Sequence, residues 1–203
     1  MRDRLTADTQ QVLGSGILST FRKQGYYEEL PLDELQDRLS KLQSPLADSL
    51  LKGGHRMPYY YFDSTALVKR YSMERGTRVV NKLMVKRGKV AILPMWTVTE
   101  FYSALSVRAQ QGEITRDDCY SVMYKFEMES TQGLYQFISP TMQTYLAAKE
   151  LLLDYPALRS MQLLHLALAL ELKPLRLTVV SADKQLLAAC RPTGLHIINP
   201  EDD

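Results

Sequence analysis

The chain has 203 residues, 45% of them hydrophobic and 24% charged, and its net charge of +2 neither requires nor excludes a nucleic-acid partner. This length suits one domain whose core needs neither disulfides nor a structural metal. The chain has two cysteines, Cys119 and Cys190, which are too far apart in sequence for a metal-ligand motif, and this sparse use of cysteine indicates a reducing compartment. No signal-peptide pattern opens the chain and no apolar run is long enough for a membrane span, so we expect a soluble cytoplasmic protein.

Residues 1–56 differ from the rest of the chain. Two amphipathic helices are predicted here, over 6–22 and from Pro31 through 42, and the Gly-containing segment 52–56 is typical of a linker. These pieces are too small to bury a core of their own, so they are expected to pack on another part of the protein. Three interpretations stay open: an antitoxin-like segment tethered to the following domain, a structural extension, or an upstream translated leader.

From Met57 onward, short apolar runs alternate with amphipathic segments. Runs rich in aromatic and β-branched residues predict strands, and a 3.6-residue period predicts helices. The predicted strands are 59–63, 90–93, 134–138, 177–180 and 195–198, and the predicted helices are 64–71, 77–86, 98–110, 115–130, 140–154, 158–172 and 183–191. This alternation indicates an α/β domain of 57–203 in which helices cover both faces of a parallel sheet.

Several predicted helices begin at capping signals. Ser64 or Thr65 is expected to cap the first helix, and Thr115 forms a capping-box pattern with Asp118. Ser139 is expected to cap the helix that starts next to it, because proline follows at the favoured first helical position.

Two aspartates stand where predicted strands end. Asp63 closes the first strand, and Asp183 follows the strand 177–180. Open α/β sheets bind ligands at the carboxyl ends of their strands, so two carboxylates at such positions converge on one crevice if the strand order brings them together. The alternative for both residues is a helix N-cap with no further role.

Several short motifs occur in a fixed order along 57–200. They are Tyr61-Phe62-Asp63-Ser64-Thr65-Ala66-Leu67-Val68-Lys69, Glu74-Arg75-Gly76-Thr77, Thr99-Glu100-Phe101-Tyr102-Ser103-Ala104-Leu105, Gly112-Glu113-Ile114-Thr115, Leu158-Arg159-Ser160-Met161-Gln162-Leu163-Leu164-His165-Leu166-Ala167, Val180-Ser181-Ala182-Asp183-Lys184-Gln185-Leu186 and Gly194-Leu195-His196-Ile197-Ile198-Asn199-Pro200. In this order and spacing the chain resembles PIN-domain proteins of the VapC toxin type. The resemblance implies a three-layer α/β/α fold with a mainly parallel sheet. It also implies a ribonuclease dependent on Mg²⁺ or Mn²⁺, a homodimer, and an antitoxin partner, here a cognate protein or the chain's own N-terminal segment.

The resemblance also implies an acidic site made of Asp63, Glu100 and Asp183. These residues match three carboxylates of the family, which act as metal ligands and catalytic groups, and Ser64 or Thr65 would support Asp63 or a metal-bound water. Carboxylates without His or Cys suit Mg²⁺ or Mn²⁺ far better than Zn²⁺. Such an ion polarises a phosphate oxygen and activates a water for attack on a phosphodiester.

The fourth acidic position of the family falls on Gln162. A glutamine offers a carbonyl oxygen but no negative charge, and its NH₂ group repels a cation. We therefore expect weak metal binding and an attenuated nuclease.

Simpler interpretations apply to other polar residues. Glu100 follows Thr97 by three positions, which is also the pattern of a capping box. His165 lies among apolar residues and is interpreted as a hydrogen-bonded, partly buried histidine, while Trp96 and the run 59–61 are interpreted as core or interface.

A basic stretch is a candidate surface for RNA. Residues 69–89 carry eight basic residues against Glu74 as the only acid. Lys82, Lys86 and Arg87 are the candidate phosphate contacts, and a solvated helix face is the equally weighted alternative.

The sequence therefore predicts a metal-dependent endoribonuclease of VapC type, attenuated by Gln162. The alternative is a catalytically silent PIN domain that binds RNA or a protein partner. A third possibility is a small oligomerising scaffold.

Overall fold

The computed structural model describes residues 58–86 and 88–202; the predicted helices before the domain, together with Met57 and Arg87, lie outside these ranges. The strands are β1 Tyr59–Phe62, β2 Val90–Pro94, β3 Tyr135–Ile138, β4 Thr178–Val180 and β5 His196–Ile198. The helices are α1 Ser64–Tyr71, α2 Thr77–Met84, α3 Met95–Gln110, α4 Arg116–Thr131, α5 Met142–Asp154, α6 Ser160–Glu171 and α7 Lys184–Cys190, with 3-10 turns at Lys173–Leu175 and Arg191–Thr193. Within the described ranges, no helix combines the length and apolar character that a bilayer crossing requires.

The strands form a parallel sheet in the order β3-β2-β1-β4-β5. The chain moves outward from β1 through β2 to β3 and then crosses to the opposite side of β1 to form β4. This reversal creates a topological switch point between β1 and β4, where open α/β sheets place their ligand sites. This strand order could not be predicted from the sequence. It places the carboxyl ends of the two strands that precede Asp63 and Asp183 next to each other.

Helices cover both faces of the sheet, which confirms the predicted three-layer α/β/α architecture. Alternation along β1 sends Tyr59 and Tyr61 into a core shared with α5, α6 and α7, and sends Tyr60 and Phe62 into a core shared with α1 to α4. All four side chains are buried, which confirms that the aromatic run belongs to the core.

Two predicted cap residues are wrong, while the capping box of Thr115 with Asp118 is confirmed. Asp63 itself caps α1, since its side chain accepts a hydrogen bond from the Ala66 N–H. The cap of α5 is Thr141, which exchanges hydrogen bonds with Thr144, so the helix begins after Pro140 rather than at it. Several neighbouring residues are competent caps in each stretch, and tertiary packing decides among them.

The capping-box interpretation of Glu100 is also wrong. Helix α3 begins at Met95, directly after Pro94, so Thr97 already lies inside its first turn and is fully buried. Glu100 therefore stands in the second turn of α3, where it has no capping role.

A partly buried ionic network joins α1 to α4. The Arg70 guanidinium donates from Nε and Nη2 to the two carboxylate oxygens of Glu129 at 2.9 and 2.8 Å. The Tyr71 hydroxyl donates to the same carboxylate at 2.6 Å, and Arg70 Nη1 donates to Asn81 at 2.8 Å. A bidentate pair with this little exposure stabilises the fold only while both charges are present.

Replacing Glu129 by glutamine should therefore lower the free energy of unfolding by about 2 kcal/mol, because the guanidinium loses its charged acceptor. Urea denaturation followed by circular dichroism measures the change. Glu150→Gln is the matched control, since its ion pair with Lys149 is 64% and 76% exposed and should contribute less than about 0.5 kcal/mol. Equal effects of the two variants would contradict a structural role for the Arg70–Glu129 pair.

Candidate functional site

Asp63 lies at the carboxyl end of β1, between β1 and β4, and is only 3% exposed. Its Oδ1 accepts hydrogen bonds from the Ala66 N–H at 2.9 Å and the Thr65 hydroxyl at 2.8 Å. Its Oδ2 accepts from the Ser181 hydroxyl at 2.6 Å and lies 2.9 Å from the same Thr65 oxygen. The carboxylate is thus fixed in orientation by groups from both sides of the switch point.

Burial raises the pKa of Asp63 above its ordinary value, because the charged form is separated from water. His165 and the hydrogen bonds from Ser181, Ala66 and Thr65 act in the opposite direction without cancelling that effect. A nearby cation would offset the cost of burying this negative charge. The charged form of Asp63 is therefore expected to be favoured when a positive ligand binds beside it.

Asp183 is tied to Asp63 through the turn that follows β4. Its side-chain Oδ1 caps α7 by accepting from the Gln185 and Leu186 N–H groups at 2.9 and 3.1 Å. Its backbone N–H donates to the Ser181 hydroxyl oxygen at 2.9 Å, and that hydroxyl donates to Asp63. The Ser181 hydroxyl therefore links Asp63 to the turn that carries Asp183, and each aspartate is also a helix N-cap.

Gln162 directs its NH₂ group at Asp183. Its Oε1 accepts the Arg159 N–H at 2.7 Å, which fixes the amide orientation, because an NH₂ group cannot accept. The amide nitrogen then donates to Asp183 Oδ2 at 2.5 Å and to the Gln185 side chain at 3.3 Å. The family's fourth acidic position thus holds a hydrogen-bond donor to a carboxylate of the site.

Glu100 is held by a buried histidine. Its Oε2 lies 3.0 Å from His165 Nε2, and the Trp96 indole N–H lies 3.1 Å from the same nitrogen. The Tyr61 hydroxyl contacts the other ring nitrogen at 2.8 Å. His165 is 3% exposed, which confirms that it is a buried, hydrogen-bonded histidine, and it connects Glu100 to the end of β1.

The three carboxylates are not gathered into a closed cluster. Across 58–86 and 88–202, no three His, Cys, Asp or Glu side chains lie close enough together to hold a metal ion. The donor chemistry of Asp63 nevertheless fits one hard cation, since it is a buried carboxylate at the switch point and such ions prefer oxygen ligands, which the Glu100 carboxylate also offers. The Gln162 amide opposes a cation at Asp183, so the residues do not fit a second metal.

The basic stretch contributes less free charge than its composition suggests. Lys69 is buried and paired with Glu201 at 2.6 Å, and Arg70 is paired with Glu129. Lys86 donates to the Tyr60 hydroxyl at 3.0 Å, beside the start of β1 rather than the end that carries Asp63. Lys82 is exposed on α2, and Arg87 lies outside the described residues, so the RNA-contact role of these side chains stays a prediction.

Ser181 is the residue of the site that sequence reasoning missed. It is fully buried, donates to Asp63 and accepts from the Asp183 backbone. A hydroxyl residue two positions before an aspartate and directly after a strand was the available signal. Ser64, by contrast, makes no hydrogen bond to Asp63, so of the two predicted supporting residues only Thr65 contacts it.

No family model and no curated protein matches the chain. Among solved structures, the chain is similar to FitAcB from Neisseria gonorrhoeae, with a TM-score of 0.51 and 14% identity over 71% of this chain and 99% of that one. It is also similar to PAE2754 from Pyrobaculum aerophilum, with a TM-score of 0.46 and 18% identity over 69% of this chain and 83% of that one. The likeness to FitAcB and the parallel sheet together support a PIN-like fold. At 14% identity, the likeness is evidence for the fold and not for the function.

Proposed function

We propose that this chain is a metal-dependent endoribonuclease of the VapC type whose activity is attenuated by Gln162. The observation that carries the proposal is the buried Asp63 carboxylate at the switch point, oriented by Thr65, Ser181 and the start of α1. A charged group is costly in such a position unless it meets a cation or a reacting group, and perturbed carboxylates of this kind concentrate at functional sites.

In this proposal, Asp63 and Glu100 would hold one Mg²⁺ or Mn²⁺, with Asp183 as a weaker third carboxylate because the Gln162 amide donates to it. The substrate is an RNA phosphodiester. The chemistry that the bound ion supplies is polarisation of a phosphate oxygen and activation of a water. The protein contributes a fixed carboxylate at Asp63 and a restrained Glu100. The hydroxyl groups of Thr65 and Ser181 keep Asp63 from turning away when substrate enters, which is the preorganisation that such sites require.

A second candidate function is a catalytically silent PIN-like domain that binds RNA or a protein partner, either an antitoxin or the chain's own N-terminal segment. The hydrogen bond from Gln162 to Asp183 favours it, because this donor occupies a carboxylate oxygen that a metal site would use. The two candidates share a fold and differ in whether Asp63 and Glu100 suffice for catalysis.

The test is cleavage of single-stranded RNA by the purified full-length chain. We expect slow cleavage with Mn²⁺ or Mg²⁺ that stops when EDTA removes the ion. Cleavage that persists in EDTA would contradict metal dependence. If neither the wild-type chain nor Gln162→Asp cleaves RNA with either ion, the silent domain is the correct interpretation.

A further inference from the structure

A pocket of about 370 Å³ opens beside Asp63, between α1, α3 and the turn after β4. Thr65 and Ala182 form its wall toward the site, and the Ala182 N–H donates to the Thr65 hydroxyl oxygen at 2.9 Å. That same hydroxyl donates to Asp63, so one hydrogen bond separates the pocket wall from the candidate active site. Its volume lies within the range of small-ligand pockets, about 300–1,000 Å³.

Two ion pairs line the pocket. Lys69 donates to Glu201 at 2.6 Å, and Arg108 donates to Glu74 at 2.9 Å and to the Ser72 hydroxyl at 3.0 Å. The four charges sum to zero. Among the described residues, Lys69 uses one of its three N–H donors and Arg108 two of its five, so both cations are held in place and retain donors.

Glu74 adds a hydrogen-bond acceptor to the donors of Lys69 and Arg108. One of its carboxylate oxygens accepts from Arg108, while the other, Oε1, is buried and has no hydrogen-bond partner within the described part of the chain. A buried acceptor without a donor is costly and rare, so Glu74 is stabilised by turning this oxygen toward a donor in the pocket that it lines. Val68 and Ala104 add apolar surface to the same pocket.

The balance of charges in the pocket disfavours a simple phosphate site. A phosphate would meet two carboxylates as well as two cations, and the pocket has no net positive charge to attract it. A nucleobase fits better, because it is neutral, flat and carries donors and acceptors along its edges. Guanine presents the O6 and N7 acceptors that Arg and Lys bind, and N–H donors on its Watson–Crick edge that a carboxylate accepts.

We propose that this pocket binds an unstacked guanine base of the RNA, adjacent to the phosphate that lies at Asp63. Arg108 and Lys69 donate to the base acceptors, and Glu74 accepts from its N–H groups. Proteins commonly read single-stranded RNA through splayed-out bases of this kind. The inference rests on the proposed function, which it deepens by making base identity a property of the cleavage site.

The test is an NMR titration of the full-length chain with guanosine and adenosine 5′-monophosphates in EDTA, where neither metal nor cleavage contributes. We expect the guanine nucleotide to bind at least about tenfold more tightly and to shift the Thr65 and Ala182 amide signals. Glu74→Gln should weaken guanine binding about tenfold or more, whereas Glu150→Gln, which alters an exposed ion pair, should not.

Ala104→Leu is a second variant, which fills the pocket without changing its charge and should also weaken guanine binding. Equal affinity for the two nucleotides, or unchanged guanine affinity in a folded Glu74→Gln or Ala104→Leu chain, would overturn the inference. Failure of the proposed function gives a different result: guanine binds as expected, yet RNA is not cleaved with any metal. RNA cleavage without selective guanine binding would instead leave the proposed function in place and remove the pocket assignment.

Discussion

Replacing Asp63 by asparagine should abolish RNA cleavage and, in metal-free solution at neutral pH, should make the fold more stable. The loss of activity should be about 10³-fold or more, because a metal-holding carboxylate contributes several kcal/mol to the transition state. RNA cleavage with Mn²⁺ measures the first effect, and urea denaturation measures the second.

The local geometry permits this substitution. An asparagine oxygen can still accept from the Ala66 N–H, and its NH₂ group can donate to the Ser181 hydroxyl oxygen. Ser181 can then turn its own proton toward the Thr65 hydroxyl, which lies 3.4 Å away. The helix cap therefore survives while the buried charge is removed.

The stability gain should depend on pH. Burial raises the pKa of Asp63, so the wild-type contribution is most favourable below the unfolded value of about 3.9 and is lost as pH rises through the folded value. The stability difference between variant and wild type should thus be largest at neutral pH and shrink in acid. Mn²⁺ should reverse the order, because it stabilises only the chain that binds it.

Asp117→Asn is the matched control, since Asp117 is an exposed aspartate in the first turn of α4. It should retain full cleavage and show no stability gain. Cleavage retained by Asp63→Asn, with this control behaving as expected, would exclude Asp63 from the chemistry.

Replacing Gln162 by aspartate should tighten Mn²⁺ binding by about 10- to 100-fold and increase RNA cleavage. The substitution removes the amide that donates to Asp183 at 2.5 Å and puts a carboxylate in its place. Without metal, the two carboxylates repel each other, so the thermal midpoint should fall. With Mn²⁺, it should recover beyond that of the wild-type chain.

Gln185→Asp is the control for charge alone. Gln185 is exposed and lies two residues after Asp183, at the start of α7. The substitution adds the same negative charge near Asp183 but keeps the hydrogen bond from the Gln162 amide to Asp183. Isothermal titration with Mn²⁺ should show no comparable gain for this variant. Equal Mn²⁺ affinities of wild type and Gln162→Asp would remove Gln162 as the cause of attenuation.

Local patterns predicted most of the secondary structure, because strand and helix periodicities depend on neighbouring residues. The aromatic run of β1 and the amphipathic helix α2 are examples: all four β1 residues are buried, as are Val80, Leu83 and Met84 of α2. The sheet order required contacts between residues far apart in sequence. The N-cap role of Asp63 was one of the alternatives that the sequence left open, whereas its hydrogen bond from Ser181, 118 residues away, was not predicted.

For the candidate site as well, local patterns predicted which residues are involved but not their contacts with residues distant in the sequence. Strand ends and motif spacing pointed to Asp63 and Asp183, but the contact of the Gln162 amide with Asp183 joins residues 21 positions apart and was not predicted. Counting charges along 69–89 overstated the free positive charge for a related reason. Glu129 and Glu201, which neutralise Arg70 and Lys69, lie 59 and 132 residues away in the sequence.

The measurement that tests the central claim most directly is a Mn²⁺ titration of the full-length wild-type chain beside Asp63→Asn, followed by electron paramagnetic resonance of the free ion. The account predicts one weak site in the wild type and its loss in the variant. Wild-type and variant chains that bind Mn²⁺ equally, or not at all, would contradict a metal site at Asp63.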